Sequence, residues 1–362
     1  MLKDITIDLL YQPLIDAPPP LPSGGNDLYR EACAGDKTTV DSWRDTWLKN
    51  YKDSKDHFGN FGDKSYGQLY GINRQKPCIV IGSGPSLKDA IPALQANRKA
   101  LNPVMSISCL HNFGLFEDEG CHADYYLSLD SGGVVIDDIS ESRNEDGKFY
   151  WEKTKGHKLL AYVGSDPRLW ELWQGEIYLF SSLIPDIELM KQLKEIEKFT
   201  HYISSGGNAG GASFYAAKAV MCSDPIILVG MDCCFNYDNT FHAYSTHYDT
   251  VGNYVPWPDC FGIPRKTWMS YLNFKFWWDD RVMKIPGNYI NASGGLLGSY
   301  QGGNLRHYKY MELSKALTVY EGFDTLKLQQ KVHGKDGVLE ETPFDVKSFF
   351  ANPQHDHDVT FF

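Results

Sequence analysis

Between residues 76 and 232, short apolar runs alternate with stretches whose apolar residues recur at helical spacing. The runs at 79–81, 104–108, 125–129, 159–163, 177–180 and 225–230 have the length of strands. The last is apolar throughout, as a strand buried on both faces requires. Segments 87–99, 112–119, 187–199 and 212–222 read as helices, and Pro92 is expected to split the first. Strands alternating with helices predict an α/β fold, a Rossmann-like, mostly parallel sheet with helices on both faces.

In such a sheet, ligands bind beyond the carboxyl ends of the strands. Gly82-Ser83-Gly84-Pro85-Ser86, Asp130 and Asp232 all fall at such ends. The two glycines allow a tight turn and close approach of a ligand. Ser86 is expected to cap the following helix, with Asp89 as its capping-box partner. Free N–H groups and the helix dipole would then face a phosphate. The turn is neither a dinucleotide fingerprint nor a Walker A loop, and Gly and Ser also serve turns that bind nothing. A second turn of the same kind, Ser204-Ser205-Gly206-Gly207-Asn208, leads into the Ala-rich helix. The candidate nucleotide-binding residues are Gly82, Ser83, Gly84, Ser86, Asp130, Ser204, Ser205, Gly206 and Asp232.

After Asp232 the chain turns polar and aromatic, and residues 235–260 read as a lid. The lid carries His242, Tyr244, His247 and Tyr248. A histidine there can take a proton from an acceptor hydroxyl near neutral pH. Asp130 and Asp232 are suited to ribose hydroxyls, to a divalent ion or to capping adjacent turns. An Asp-x-Asp motif occurs only at Asp356–Asp358, which argues against a standard metal-dependent glycosyltransferase.

Around this region, residues 1–70 are read as an N-terminal extension or cap, Pro-rich at 17–22 and partly helical at 39–49. Residues 71–310 form the nucleotide-binding domain. An acidic stretch at 137–146 is expected to be an exposed loop, 268–283 an aromatic helix, 289–290 a strand and 305–319 the last helix. Residues 311–362 are that helix and a tail in which His355 to Asp358 read as solvated.

Composition narrows the class. A net charge of −11 argues against bulk nucleic acid as a partner. The eight cysteines form no C-x-x-C pair and read as buried, reduced thiols. The first eleven residues lack the apolar core of a signal peptide, and no apolar run is long enough to span a membrane. A cytoplasmic location is expected.

Gly82-Ser83-Gly84-Pro85-Ser86-Leu87 resembles the opening motif of the DUF115 family. That family includes motility-associated flagellin glycosyltransferases and archaeal MptE-like 6-hydroxymethylpterin diphosphokinases. The resemblance continues at Tyr126 to Asp130, at Ser205-Gly206-Gly207, at Pro225 to Asp232, at Thr240 to Ala243 and at Ile290 to Gly295. The same blocks are similar to the Campylobacter-type sialyltransferases, which use a CMP-sugar without a metal and a lid histidine as base. The resemblance implies a nucleotide-dependent transferase. In the glycosyltransferase branch, Gly82, Ser83 and Ser86 contact the nucleotide phosphate or ribose, and Ser204, Ser205 and Gly206 line the cytidine. His247 or His242 is the base, and Tyr244 or Tyr248 assists the leaving group. In the diphosphokinase branch, ATP is the donor and Mg²⁺ is held by Asp130 and Asp232. A nucleotide-binding module without catalysis is the third reading. The acceptor and any self-association stay open.

Overall fold

The computed structural model describes residues 26–140, 150–182, 184, 186–196, 202–203, 205–243, 254–300, 303–320, 329–333 and 339–343. It opens with a long helix, α1 (Asn26–Phe58), rather than the short helical stretch expected at 39–49. Val40, Trp47, Leu48 and Tyr51 recur on one face, and that face packs into the core. Then follow β1 (Cys78–Ile81), α2 (Leu87–Lys99), β2 (Met105–Cys109), α3 (Phe113–Glu119), β3 (Tyr125–Ser128), α4 (Val134–Ser140), β4 (Lys158–Tyr162), α5 (Arg168–Leu172), β5 (Glu176–Ser182), α6 (Ile187–Ile196), β6 (Tyr202–Ile203), α7 (Ala209–Tyr215) and β7 (Ile226–Val229). The chain continues through β8 (Tyr254–Pro258), β9 (Pro264–Trp268), α8 (Met269–Lys284), β10 (Tyr289–Asn291), β11 (Ser299–Tyr300), β12 (Gly303–Asn304), β13 (Tyr308–Tyr310), α9 (Leu313–Tyr320), β14 (Gln329–His333) and β15 (Leu339–Pro343).

Among the described residues the main sheet has nine strands in the order β13-β10-β7-β1-β2-β3-β4-β5-β6, and every pairing is parallel. The fold is therefore α/β and Rossmann-like, with helices on both faces. α2 packs with α9, while α1 packs with α8 and α6. From β1 the chain steps outward through β2 to β6. It then returns to β7 on the other side of β1 and steps the opposite way to β10 and β13. The order reverses between β1 and β7, which run level at Ile81 and Val229. That gap is the topological switch point, where an open α/β sheet leaves its ligand crevice. Ile79, Val80, Ile227 and Leu228 beneath it are fully buried.

The polar groups of α1 meet the carboxyl ends of neighbouring strands. Tyr51 shares a 2.5 Å hydroxyl contact with Ser181, and Ser54 donates to the Val163 carbonyl at 2.8 Å. Asn50 donates to the carbonyls of Ser131 and Gly164. Each buried polar side chain here has a partner, so the helix can enter the core without stranding them.

Several expectations are corrected. Pro92 does not split α2, which runs through it unbroken. Pro92 cannot donate to the Lys88 carbonyl, and Lys88 is an exposed residue of the first turn, where water can serve instead. Ser86 has helical dihedrals and makes no side-chain cap. Residues 137–140 of the expected loop belong to the helix 134–140, and 141–146 lie outside the described residues. The helix expected from 305 begins only at Leu313, because 308–310 joins the sheet as β13. The end of the expected lid forms β8, which pairs with β9 beyond it as an antiparallel hairpin, and the expected tail contains the hairpin β14–β15. The motif at 355–358 lies outside the described residues. The seven cysteines with described side chains are unpaired thiols. No helix among the described residues is long and apolar enough to cross a membrane.

Candidate functional site

Two loops close the switch point. The one after β1 carries Gly82, Ser83 and Gly84, and the one after β7 carries Gly230, Met231 and Asp232. They are laced together by backbone hydrogen bonds, Gly82 to Val229 and Gly84 to Gly230, both 2.8 Å. Glycine is required at 84, since a Cβ there would lie 2.1 Å from Asp232 Oδ2 and 2.8 Å from the Gly230 carbonyl. The contact leaves the Asp232 carboxylate at the N-terminus of α2. Its Oδ2 accepts from the Ser86 amide at 3.2 Å and from the Ser86 hydroxyl at 2.9 Å. The acceptor at this helix end is thus an aspartate carboxyl of the protein itself. Burial pushes the Asp232 carboxyl up to about 7, against the pull of the Ser86 hydrogen bonds and the Arg265 charge.

Above these loops lies a cleft of about 250 Å³. Its remaining walls come from Leu110 and His111 after β2, Leu129 and Asp130 after β3, Asn208 to Gly210 at the start of α7, Phe241 and His242, and Tyr271 and Phe274 of α8. His242 Nδ1 lies 3.1 Å from His111 Nε2, and His242 Nε2 lies 3.4 Å from the Tyr271 hydroxyl. Neighbours hold this row in place. Phe241 packs on Phe235 and Trp268, and the Ala243 amide donates to the Ser83 carbonyl at 2.9 Å. Burial raises the Tyr271 phenol well above its ordinary value, so it stays a protonated donor. Burial and the Asp130 charge push the Cys109 thiol in the cleft wall up to about 12, which rules out a thiolate nucleophile at neutral pH.

The structure gathers Gly82, Ser83, Gly84, Asp130, Asp232 and His242 at one cleft. Ser86 stands behind it, holding Asp232. Ser205 and Gly206 do not line the cleft. The Ser205 hydroxyl accepts from the Gly207 amide at 3.2 Å, and Gly206 sits against Trp277 with no room for a side chain. Their neighbours Asn208 and Ala209 line the cleft instead, and Asn208 caps α7 through its contact to the Gly211 amide. Ser204, Tyr244, His247 and Tyr248 lie outside the described residues.

The sequence reading missed His111 and Tyr271. His111 follows the end of β2 at Cys109, so the rule that selected Asp130 and Asp232 also selects it once that end is placed correctly. Tyr271 stands among the aromatic residues of α8 and has no sequence signal of its own.

No curated protein matches the chain. The structure is similar to that of a MAf glycosyltransferase from Magnetospirillum magneticum AMB-1, at 17% sequence identity and a TM-score of 0.52. The similarity covers 75% of this chain but only 38% of that one, and at this identity it speaks for the fold. The family model "6-hydroxymethylpterin diphosphokinase MptE-like" matches residues 45–238, more than half of the chain, including both loops of the switch point. The chain belongs to the 6-hydroxymethylpterin diphosphokinase MptE-like family, a family of transferases.

Proposed function

We propose that the protein transfers an activated group from a nucleotide to an acceptor hydroxyl, with His242 as the base. The donor is a nucleotide-activated sugar, of which a CMP-nonulosonic acid is the leading candidate. The observation that carries this reading is the row His111–His242–Tyr271 facing the glycine turn across one cleft. The 3.4 Å contact between His242 and Tyr271 is long for a hydrogen bond, so an acceptor hydroxyl can displace it and reach Nε2. His111, at Nδ1, orients the ring and shares the proton taken up. The phenol of Tyr271, held protonated, is placed to donate to a leaving oxygen.

A second reading, diphosphate transfer from ATP, is favoured by Asp130 and Asp232 sharing the cleft. These two would hold Mg²⁺, which would neutralise the phosphates. Asp130 is exposed at the cleft, and Asp232 would serve as a ligand only when deprotonated.

Melting temperature measured with CMP, CDP, UDP, GDP and ATP, with and without Mg²⁺, tests both. A ligand that binds only the folded state raises it by mass action. Stabilisation by CMP without metal supports glycosyl transfer, and stabilisation by ATP only with Mg²⁺ moves the assignment to diphosphate transfer. No shift with any nucleotide overturns both.

A further inference from the structure

A second cluster of chemistry-bearing side chains lies at the other end of the sheet. Glu117 is in the last turn of α3, His122 precedes β3, and His157 precedes β4. The two histidines are at amino ends of strands and Glu117 is at the helix end leading into β3, whereas the cleft is at carboxyl ends. Four residues of strand, about 13 Å, separate the two levels. One ligand atom from each residue lies within 4.8 Å of the other two.

The local chain sets this up. Gly120 ends α3 in the left-handed conformation, and the Cys121 amide returns to the Phe116 carbonyl at 2.8 Å. That turn folds His122 back toward Glu117. The His157 backbone is fixed by the Glu176 amide, which donates to its carbonyl at 3.0 Å. Its ring stands edge-on to Phe113 and Tyr126, with centroids 5.4 and 5.6 Å away.

Polar groups here are left incompletely satisfied. Glu117 Oε1 is buried and accepts no hydrogen bond, and the 3.6 Å to His157 Nε2 is too long for one. An ion pair at that distance would need a charged imidazole. Burial, then His122 and Arg98, disfavour that charged form of His157. The other cations facing the cluster are accommodated. Lys153, 3.6 Å from Glu117 Oε2, is about half exposed and can swing away, and Arg98 is paired with Asp124.

We propose that Glu117, His122 and His157 form a site for a divalent transition-metal ion of the zinc class at the amino edge of the sheet. Two imidazoles and one carboxylate are the donor set of such ions, while Mg²⁺ and Ca²⁺ prefer oxygen alone. Because His122 is exposed, water completes the coordination. The bound ion clips the end of α3 to the segments leading into β3 and β4.

The test uses the full chain, stripped with a chelator and titrated with zinc by calorimetry, beside His122→Ala and Glu117→Gln. His122 is exposed, and Gln keeps the shape of Glu, so both variants should match the metal-free wild type in melting temperature. The wild type is expected to bind zinc and to be stabilised by it, and Mg²⁺ is not expected to substitute. Each variant should bind at least about 100-fold more weakly. Absence of zinc binding tighter than millimolar overturns the site. So does unchanged affinity in both variants, which would place the ion elsewhere in the chain.

Discussion

Asp232 Oδ2 accepts hydrogen bonds from both the amide and the hydroxyl of Ser86, at 3.2 and 2.9 Å, across 146 residues of sequence. The bond joins the loops after β1 and β7 and places a buried carboxyl in the cleft wall. Its folded-state pKa of about 7 lies above the ~3.9 of an unfolded aspartate. The folded chain therefore keeps a proton that the unfolded chain releases between those values. Stability from this group is full below the lower value, declines as pH rises, and is lost above the higher one. Asp232→Asn removes the titration. Its loss of stability between about pH 5 and pH 8 should be smaller than that of the wild type in urea unfolding. Identical pH dependence in the two proteins would count against a raised Asp232.

Gly84→Ala should destabilise by about 1–3 kcal/mol, since a Cβ 2.1 Å from Asp232 Oδ2 forces the two loops apart. The same change in an Asp232→Ala background should cost less, because one of the two clashing groups is gone. The Gly230 carbonyl, 2.8 Å from the added carbon, keeps the rescue incomplete. A double-mutant cycle in denaturant checks this, and full additivity would mean the loops do not meet as described.

His242→Ala should lower kcat by at least about 100-fold once a donor is known, with nucleotide-induced stabilisation unchanged. His111→Gln, at the far nitrogen of the His242 ring, should lower kcat less and shift its pH profile. Full activity in His242→Ala would remove it as the base.

Asp279→Ala should cost about 3–5 kcal/mol, because it leaves the Lys275 ammonium buried without its partner at 2.5 Å. Lys275→Met combined with Asp279→Leu should recover only part of this, as the Gly298 amide also donates to Asp279. Urea midpoints of the three proteins test the order. A single mutant as stable as the wild type would contradict burial of the pair.

The residues that line the candidate cleft were legible in sequence where the information is local. The apolar run before Gly230 and the Gly82–Gly84 turn mark strand ends within a few residues, so Asp232, Asp130 and Ser83 could be selected as cleft residues. Ser86 was selected too, but its assigned cap was wrong. The local rule offers Asp89, whereas tertiary packing offers Asp232. Ser205 and Gly206 show the opposite ambiguity, since a glycine turn reads alike whether a ligand or the Trp277 ring lies against it. The Glu117–His122–His157 cluster had no signature, because His157 reaches it only through the pairing of β3 with β4.

What the sequence by itself determined is the class of fold and the edge of the sheet where the candidate cleft lies. Both follow from hydrophobic periodicity and chain turns, which act over a few residues. Only the tertiary structure decided which side chains share the cleft. His111, His242 and Tyr271 meet because the turn after β2, the segment after β7 and α8 come together at one cleft. That arrangement is set by burying the whole sheet at once, a collective requirement that no local stretch of sequence records.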